Sequence, residues 1–281
     1  MFGKLVKHEF RATRRLVPFV WLATLVMAVL NLISSQIGVQ WLSVTSMIFL
    51  LLLAVGQVLV TYVVIITRYY RSLYTDEGYL THTIPVRAGS LLGSKVLTSF
   101  VWIIISIFIS IVVFVVMLIY FSKANGSSIG ELYNEIQALI GFETMDIVIA
   151  ALIGFVFVSF SILMQLAQMF FAMSFGSLAR FQKLSIAGPI ICYLILNFVL
   201  EMLIMVAMVF IPLGIEVQMS ADQLPVQGGT RFVARGMLHM IRNPETQNIV
   251  FGIGGLVFAL IAMMALYWET YSIIKKRTSL R

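Results

Sequence analysis

The sequence predicts an all-α membrane protein with six transmembrane helices, and three observations predict it. Hydrophobic residues fill 60% of the 281 positions, charged residues only 11%, and mean hydropathy is +1.01; a water-soluble domain carries about 25% charged residues. The apolar residues are gathered into six long runs, and about 20 helical residues suffice to cross a hydrocarbon core of roughly 30 Å. Basic residues collect beside alternate runs, the asymmetry expected of a multi-pass protein.

The elements follow in order. Residues 1–16, MFGKLVKHEFRATRRL, set Lys4, Lys7, Arg11, Arg14 and Arg15 among Phe2, Leu5, Val6 and Phe10 at helical spacing. This is an amphipathic helix suited to an anionic membrane surface. No small-residue cleavage site follows it, so it is expected to be retained rather than removed as a signal peptide. The spans are read at 17–34, 41–66, 96–121, 147–175, 184–212 and 248–270. Pro18 falls in the first turn of its span, where a missing N–H costs little. Ser34–Gln40 is short enough to be a hairpin turn. Beyond the third span, Asn125–Ser128 reads as a turn and Glu131–Ile140 as a short amphipathic helix. Gly176–Lys183 is a tight connection, and within the long polar excursion Pro212–Gln247 the stretch Thr230–Arg242 reads as an interfacial helix. With the length consumed by spans, residues 1–281 form a single transmembrane domain.

The charge pattern orients the chain. Of the 19 Lys and Arg residues, 15 lie in segments on the same side as the amino terminus and four (Lys123, Arg231, Arg235, Arg242) on the other. Both termini are therefore expected in the cytoplasm, and the net charge of +7 reflects topology rather than nucleic-acid binding. Cys192 is the only cysteine, which excludes a disulfide framework and a cysteine-based zinc site.

Arg68–Lys95, RYYRSLYTDEGYLTHTIPVRAGSLLGSK, is the longest polar interruption on the amino-terminal side. Arg68–Thr75 can prolong the second span into water, Gly78 can stop that helix, and Thr83-Ile84-Pro85 favours an extended turn. The residues leave two readings open, an ordered connector or a docking surface for a soluble partner. LYTDEGYLTHTIPV, followed closely by LLGSK, resembles the cytoplasmic loop of bacterial ABC-2-type permeases, the membrane subunits of ATP-driven ABC exporters. The resemblance is strongest over residues 1–100. It implies that residues 1–16 are the elbow helix before the first span. It also implies a cytoplasmic coupling helix between the second and third spans, with Tyr74, Asp76, Glu77, Gly78, Tyr79 and Leu80 facing an ABC ATPase.

The chain offers little chemistry of its own. Gly89–Lys95 spaces its glycines and lysine as GxxxGxK, which departs from the phosphate-binding GxxxxGK[ST], and no strand precedes it. His8, His82 and His239 are scattered, so no metal-ligand pattern emerges. Five polar residues lie at depth in the spans: Gln57, Gln165, Gln168, Asn197 and Glu201. The amides fit interhelical hydrogen bonds or a substrate path. Glu201, about 26 Å into its expected span, is the costlier placement and points to a cavity or a partner. Methionines such as Met202, Met205 and Met208 suit either packing or a permissive apolar path.

The resemblance implies an exporter permease in the plasma membrane, not itself an enzyme. It would pair with a second permease subunit, as a homodimer or a heterodimer with a related chain. Two copies of a separate ABC ATPase would bind ATP and Mg, the permease chain itself holding no cofactor. Membrane lipids are the other expected partners. An amphipathic peptide such as a toxin or antimicrobial peptide is the first substrate class expected. A membrane scaffold or sensor, or a membrane-embedded enzyme acting on lipid or peptide, is the alternative.

Overall fold

The computed structural model describes residues 2–37, 39–75, 78, 86–124, 130–131, 144–178, 187–218, 230–233 and 248–276. It is an all-α membrane protein with six helices long and apolar enough to cross a bilayer. A small three-stranded sheet is added between the last two. The chain forms two compact units, Met1–Leu132 with Ile274–Arg281, and Tyr133–Ile273.

In the first unit α1 (Phe2–Thr13) is the expected amphipathic helix, joined by a short turn to α2 (Val17–Gln36). Lys4, Lys7, Arg11, Arg14 and Arg15 are exposed. The chain turns back within three residues into α3 (Gln40–Tyr74), and α4 runs from Ala88 to Ala124. α3 has 35 residues and α4 has 37, so at 1.5 Å per residue each is more than 50 Å long, roughly 20 Å beyond the hydrocarbon core. The polar segment 68–95 is thus mostly helical stalk, and only residues 75–87 connect its two arms.

α3 ends before Gly78. Thr75 adopts an extended backbone (φ −118°, ψ −169°) and its Oγ1 donates to Arg71 O at 2.6 Å. Gly78 itself lies in a helical turn, its N–H donating to Thr75 O at 2.7 Å. The stop is therefore Thr75, whose hydroxyl turns back on the last turn, and not the glycine. Asp76, Glu77, Tyr79 and Leu80, the core of the expected coupling helix, lie outside the described residues, as do 125–128 and 132–140.

α2, α3 and α4 pack antiparallel in sequence order around Leu50, Ala54, Val113 and Met117. Polar contacts run along their seams. Asn31 Nδ2 donates to Ser46 Oγ at 2.8 Å, and the hydroxyls of Ser34 and Ser46 are 2.7 Å apart.

The second unit holds α5 (Thr144–Gly176), α6 (Ala187–Phe210) and α7 (from Gly254 to Lys276, its last residues in the first unit). Leu200 of α6 buries against Met164 and Ala167 of α5 and Leu266 of α7. α6 stops at Phe210 because Pro212 excludes the α region for the residue before it. The chain then runs into β1 (Gly214–Gln218), and β3 (Asn248–Gly252) returns directly into α7. β1 pairs antiparallel with β3 from Gly214↔Gly252 to Gln218↔Asn248, and β2 (Thr230–Val233) adds to its other edge. The α6–α7 helical hairpin is thereby prolonged by a β-ribbon.

Two expectations fail here. Residues 248–252 are strand and not the start of a span, because the short run Ile249-Val250-Phe251, apolar and rich in strand-forming side chains, is equally compatible with a strand. Thr230–Val233 is strand and not the start of an interfacial helix, since pairing with β1 satisfies its backbone; 234–242 lie outside the described residues.

Candidate functional site: a buried charge clasp and the polar residues of the spans

The described site sits where α1, the end of α3 and the start of α4 converge. Glu9 is the one acidic residue of α1, and it lies on the helix's buried side in register with Thr13. Lys95, about two turns into α4, points to it. Its Nζ donates to Glu9 Oε1 at 2.6 Å and to Ser72 Oγ of α3 at 2.6 Å. Arg68 Nε adds a longer contact, 3.7 Å from Glu9 Oε2. The Lys95 side chain is only 3% exposed and that of Glu9 12%. An ammonium placed there without partners would cost several kcal/mol, so the three-helix junction depends on these partners.

Above the ion pair the junction continues in neutral groups. Trp102 Nε1 of α4 donates to Thr13 Oγ1 at 2.8 Å, and that hydroxyl donates back to Glu9 O at 3.0 Å. The Trp102 ring packs between Phe10 and Trp21, with centroids 5.4 and 5.2 Å away. Trp21 Nε1 in turn donates to Ser106 Oγ at 2.8 Å, and Ser106 is hydrogen-bonded to Thr61 at 2.9 Å. α1 is therefore fastened to the stalk by charge, hydroxyl and ring contacts in one continuous column.

The expected site residues divide. Tyr74 is 4% exposed, its ring against Tyr69 and Tyr70, so it supports the end of α3 from within. Gln57 is buried at the α3–α4 seam. Its Nε2 donates to Ser110 Oγ at 2.7 Å and to Ser106 O at 3.2 Å, the interhelical use anticipated for a membrane amide. In the second unit, Gln165 Nε2 donates to the Tyr193 hydroxyl. Gln168 is 2% exposed, with Oε1 lacking a hydrogen-bond partner among the described residues. Asn197 is half-buried one turn before Glu201, and Glu201 is exposed on α6.

Because α6 starts at Ala187, Glu201 lies about 21 Å along a helix of about 36 Å, closer to the middle of the span than the sequence placed it. No hydrogen bond or salt bridge reaches its carboxylate among the described residues. An ionised side chain facing lipid there costs about 3 kcal/mol on insertion scales.

Glu9 and Lys95 were not singled out by sequence reasoning. A signal was present, since Glu9 is the lone acid on the Phe2, Val6, Thr13 stripe of a helix whose other charges are basic and face away. Compared with models of protein families, with curated proteins and with solved structures, the chain matches none.

Proposed function

We propose that this chain is the permease subunit of an ATP-driven exporter of the ABC-2 type, inserted in the plasma membrane with both termini in the cytoplasm. A separate ATPase, present in two copies, binds ATP and Mg and works on two permease subunits. The observation that carries this reading is the buried clasp of Glu9, Lys95 and Ser72. The two long helices that flank residues 75–87, α3 up to Tyr74 and α4 from Ala88, are tied to each other and to α1 by that clasp. A push delivered to those helix ends is passed along them to the spans, which is what a subunit driven by an external motor requires. The loop motif LYTDEGYLTHTIPV supports the same reading through its resemblance to permease loops. An amphipathic peptide is the substrate class best suited to spans this apolar, with Asn197 and Glu201, polar groups of α6 that are not fully buried, along its path.

The test is co-purification of the chain from its native membranes with any Walker-type ATPase that accompanies it, followed by ATP hydrolysis in lipid nanodiscs with and without amphipathic peptides. Capture of the ATPase and peptide-stimulated hydrolysis are expected. A complex that forms without any change in hydrolysis would favour the scaffold reading, and no complex would remove the exporter reading.

A further inference from the structure

The register of the sheet between α6 and α7 sorts its residues into two unlike faces. Directly paired positions share a face, as do alternate positions along one strand. One face therefore collects Ile215, Val217, Phe232, Ile249 and Phe251, with Thr230 as its polar member. The other collects Glu216, Gln218, Arg231 and Asn248, with Glu216 set opposite Arg231, beside two valines and two glycines. A sheet with one polar and one apolar face is built to pack the apolar one against something.

The base of the sheet is fixed at the membrane boundary. α6 has 24 residues, about 36 Å of helix against a hydrocarbon core of roughly 30 Å. Three residues separate it from β1, and one separates β3 from α7. Ile253 N–H donates to Leu213 O at 2.8 Å, which carries the β1–β3 ladder down to the helix ends. Leu213 N–H donates to Ile211 O at 2.8 Å, closing a three-residue turn centred on Pro212. By the same alternation Leu213 and Ile253 fall on the apolar face. Leu213 is 44% exposed, and Phe210, in the last turn of α6, is 68% exposed. Exposed apolar side chains thus continue from the end of the span, where lipid surrounds them, to the first pair of the apolar face.

We propose that the apolar face of this sheet rests on the bilayer, among the headgroups and first acyl carbons of the leaflet at that end of α6 and α7, with the Glu216 and Arg231 face toward water. Amphipathic helices lie in the same shallow layer, about 5–10 Å deep. A five-residue strand is about 17 Å long, so a sheet that turns over at Pro212 brings its whole apolar face into that layer. The backbone sets the depth. β1 is paired on both sides, while the outer edges of β2 and β3 need headgroups or water, which the hydrocarbon core would deny them. Phospholipid is the occupant because chain continuity alone brings it to this face. The inference requires only that α6 and α7 cross a membrane, so it stands apart from the exporter reading.

The test places the full chain, with Cys192 replaced by Ser, in phosphatidylcholine vesicles with one nitroxide-labelled cysteine at a time. Val217→Cys and Ile249→Cys report on the apolar face, Gln218→Cys and Asn248→Cys on the polar face. Collision with oxygen, which concentrates in lipid, is compared with collision with a nickel chelate confined to water. The oxygen-to-nickel ratio should be about tenfold higher at 217 and 249 than at their neighbours 218 and 248. Thr230→Cys, which removes none of the apolar residues, should follow 217 and 249, so the reading does not depend on a variant that weakens the face. High nickel access at 217, 230 and 249 would put the sheet in water, and low access to both reagents there would mean that protein covers the face. Either result overturns the proposal, as do equal ratios on the two faces.

Discussion

Lys95 Nζ lies 2.6 Å from Glu9 Oε1, so a cation from the start of α4 is spent on the amphipathic helix α1 and not on solvent. The same ammonium reaches Ser72 on α3. One side chain thus joins three helices at the end of the membrane unit where the connecting segment emerges.

Breaking that pair from one side should be costly. Lys95→Met leaves Glu9 with only the longer contact to Arg68, and Glu9→Leu leaves Lys95 charged and enclosed; each should lower stability by about 3 kcal/mol. The double variant Glu9→Leu with Lys95→Met strands no partner of the pair, and should lose less than the sum of the single losses. Thermal unfolding of the purified chain in detergent measures all three. Additive losses would mean that the two residues do not interact.

Topology should follow the basic residues. Gly3→Cys has open space around the new Cβ, and Gln36→Cys is exposed at the opposite end of α2. With Cys192 replaced by Ser, position 36 should react with an impermeant thiol reagent on intact cells and position 3 only after lysis. Ser72, although in the polar segment, is unsuitable as a probe because it is buried against Lys95. Labelling of position 3 from outside would reverse the orientation.

The spans were legible because apolar composition and length report directly on bilayer crossing. Helix ends beyond the bilayer were not. Residues 89–95 read as the entry to the third span, but the span itself was started at 96 because Gly89, Gly93 and Lys95 interrupt the apolar run; they are in fact the first turns of α4. There Gly93 lies beside Phe2 of α1, whose ring is 3.5 Å from where a Cβ would stand, an ordinary contact distance. Lys95 counted as a surface charge on composition, and only its meeting with Glu9, 86 positions away, makes it a buried one. The strands were missed for a related reason. Apolar runs as short as Ile249–Phe251 suit helix or strand, and pairing with β1 decides between them. Of the polar residues at depth, Gln57 behaves as the ordinary reading of an amide anticipates, whereas the exposure of Glu201 depends on which face of α6 the rest of its unit covers.

Two glycines in the second unit should be irreplaceable. A Cβ at Gly254 would stand 2.4 Å from Ile211 Cβ and 2.8 Å from Ala207 O, and one at Gly176 would stand 2.5 Å from Pro189 Cα. Both clash partly with backbone that cannot rotate away, so Gly254→Ala and Gly176→Ala should each cost about 1–3 kcal/mol by overpacking. Gly154→Ala meets nothing within 4 Å and should be neutral or slightly stabilising, since alanine is the better helix former. Melting temperatures of the three variants make the comparison, and equal behaviour would mean that α6 and α7 are less closely packed than this.

If the exporter reading holds, contact with the ATPase and transmission of its motion should be separable. Asp76 and Glu77 stand between two basic arms in sequence and are the acidic groups that a partner surface would read, so Asp76→Lys with Glu77→Lys should abolish capture of the ATPase. The clasp lies further along the same path: Leu73 is fully buried, Tyr74 nearly so, and Lys95 anchors the opposite arm to α1. Lys95→Met leaves the contacting segment untouched while loosening its supports. It should therefore keep ATPase capture within about twofold of the parent, an energetic difference under 0.5 kcal/mol, yet lose peptide stimulation of hydrolysis. Pull-down and hydrolysis on the same nanodisc samples distinguish the two effects. Loss of capture and of stimulation together in Lys95→Met would mean that the clasp shapes the docking segment itself, and unchanged stimulation would mean that force reaches the spans by another route.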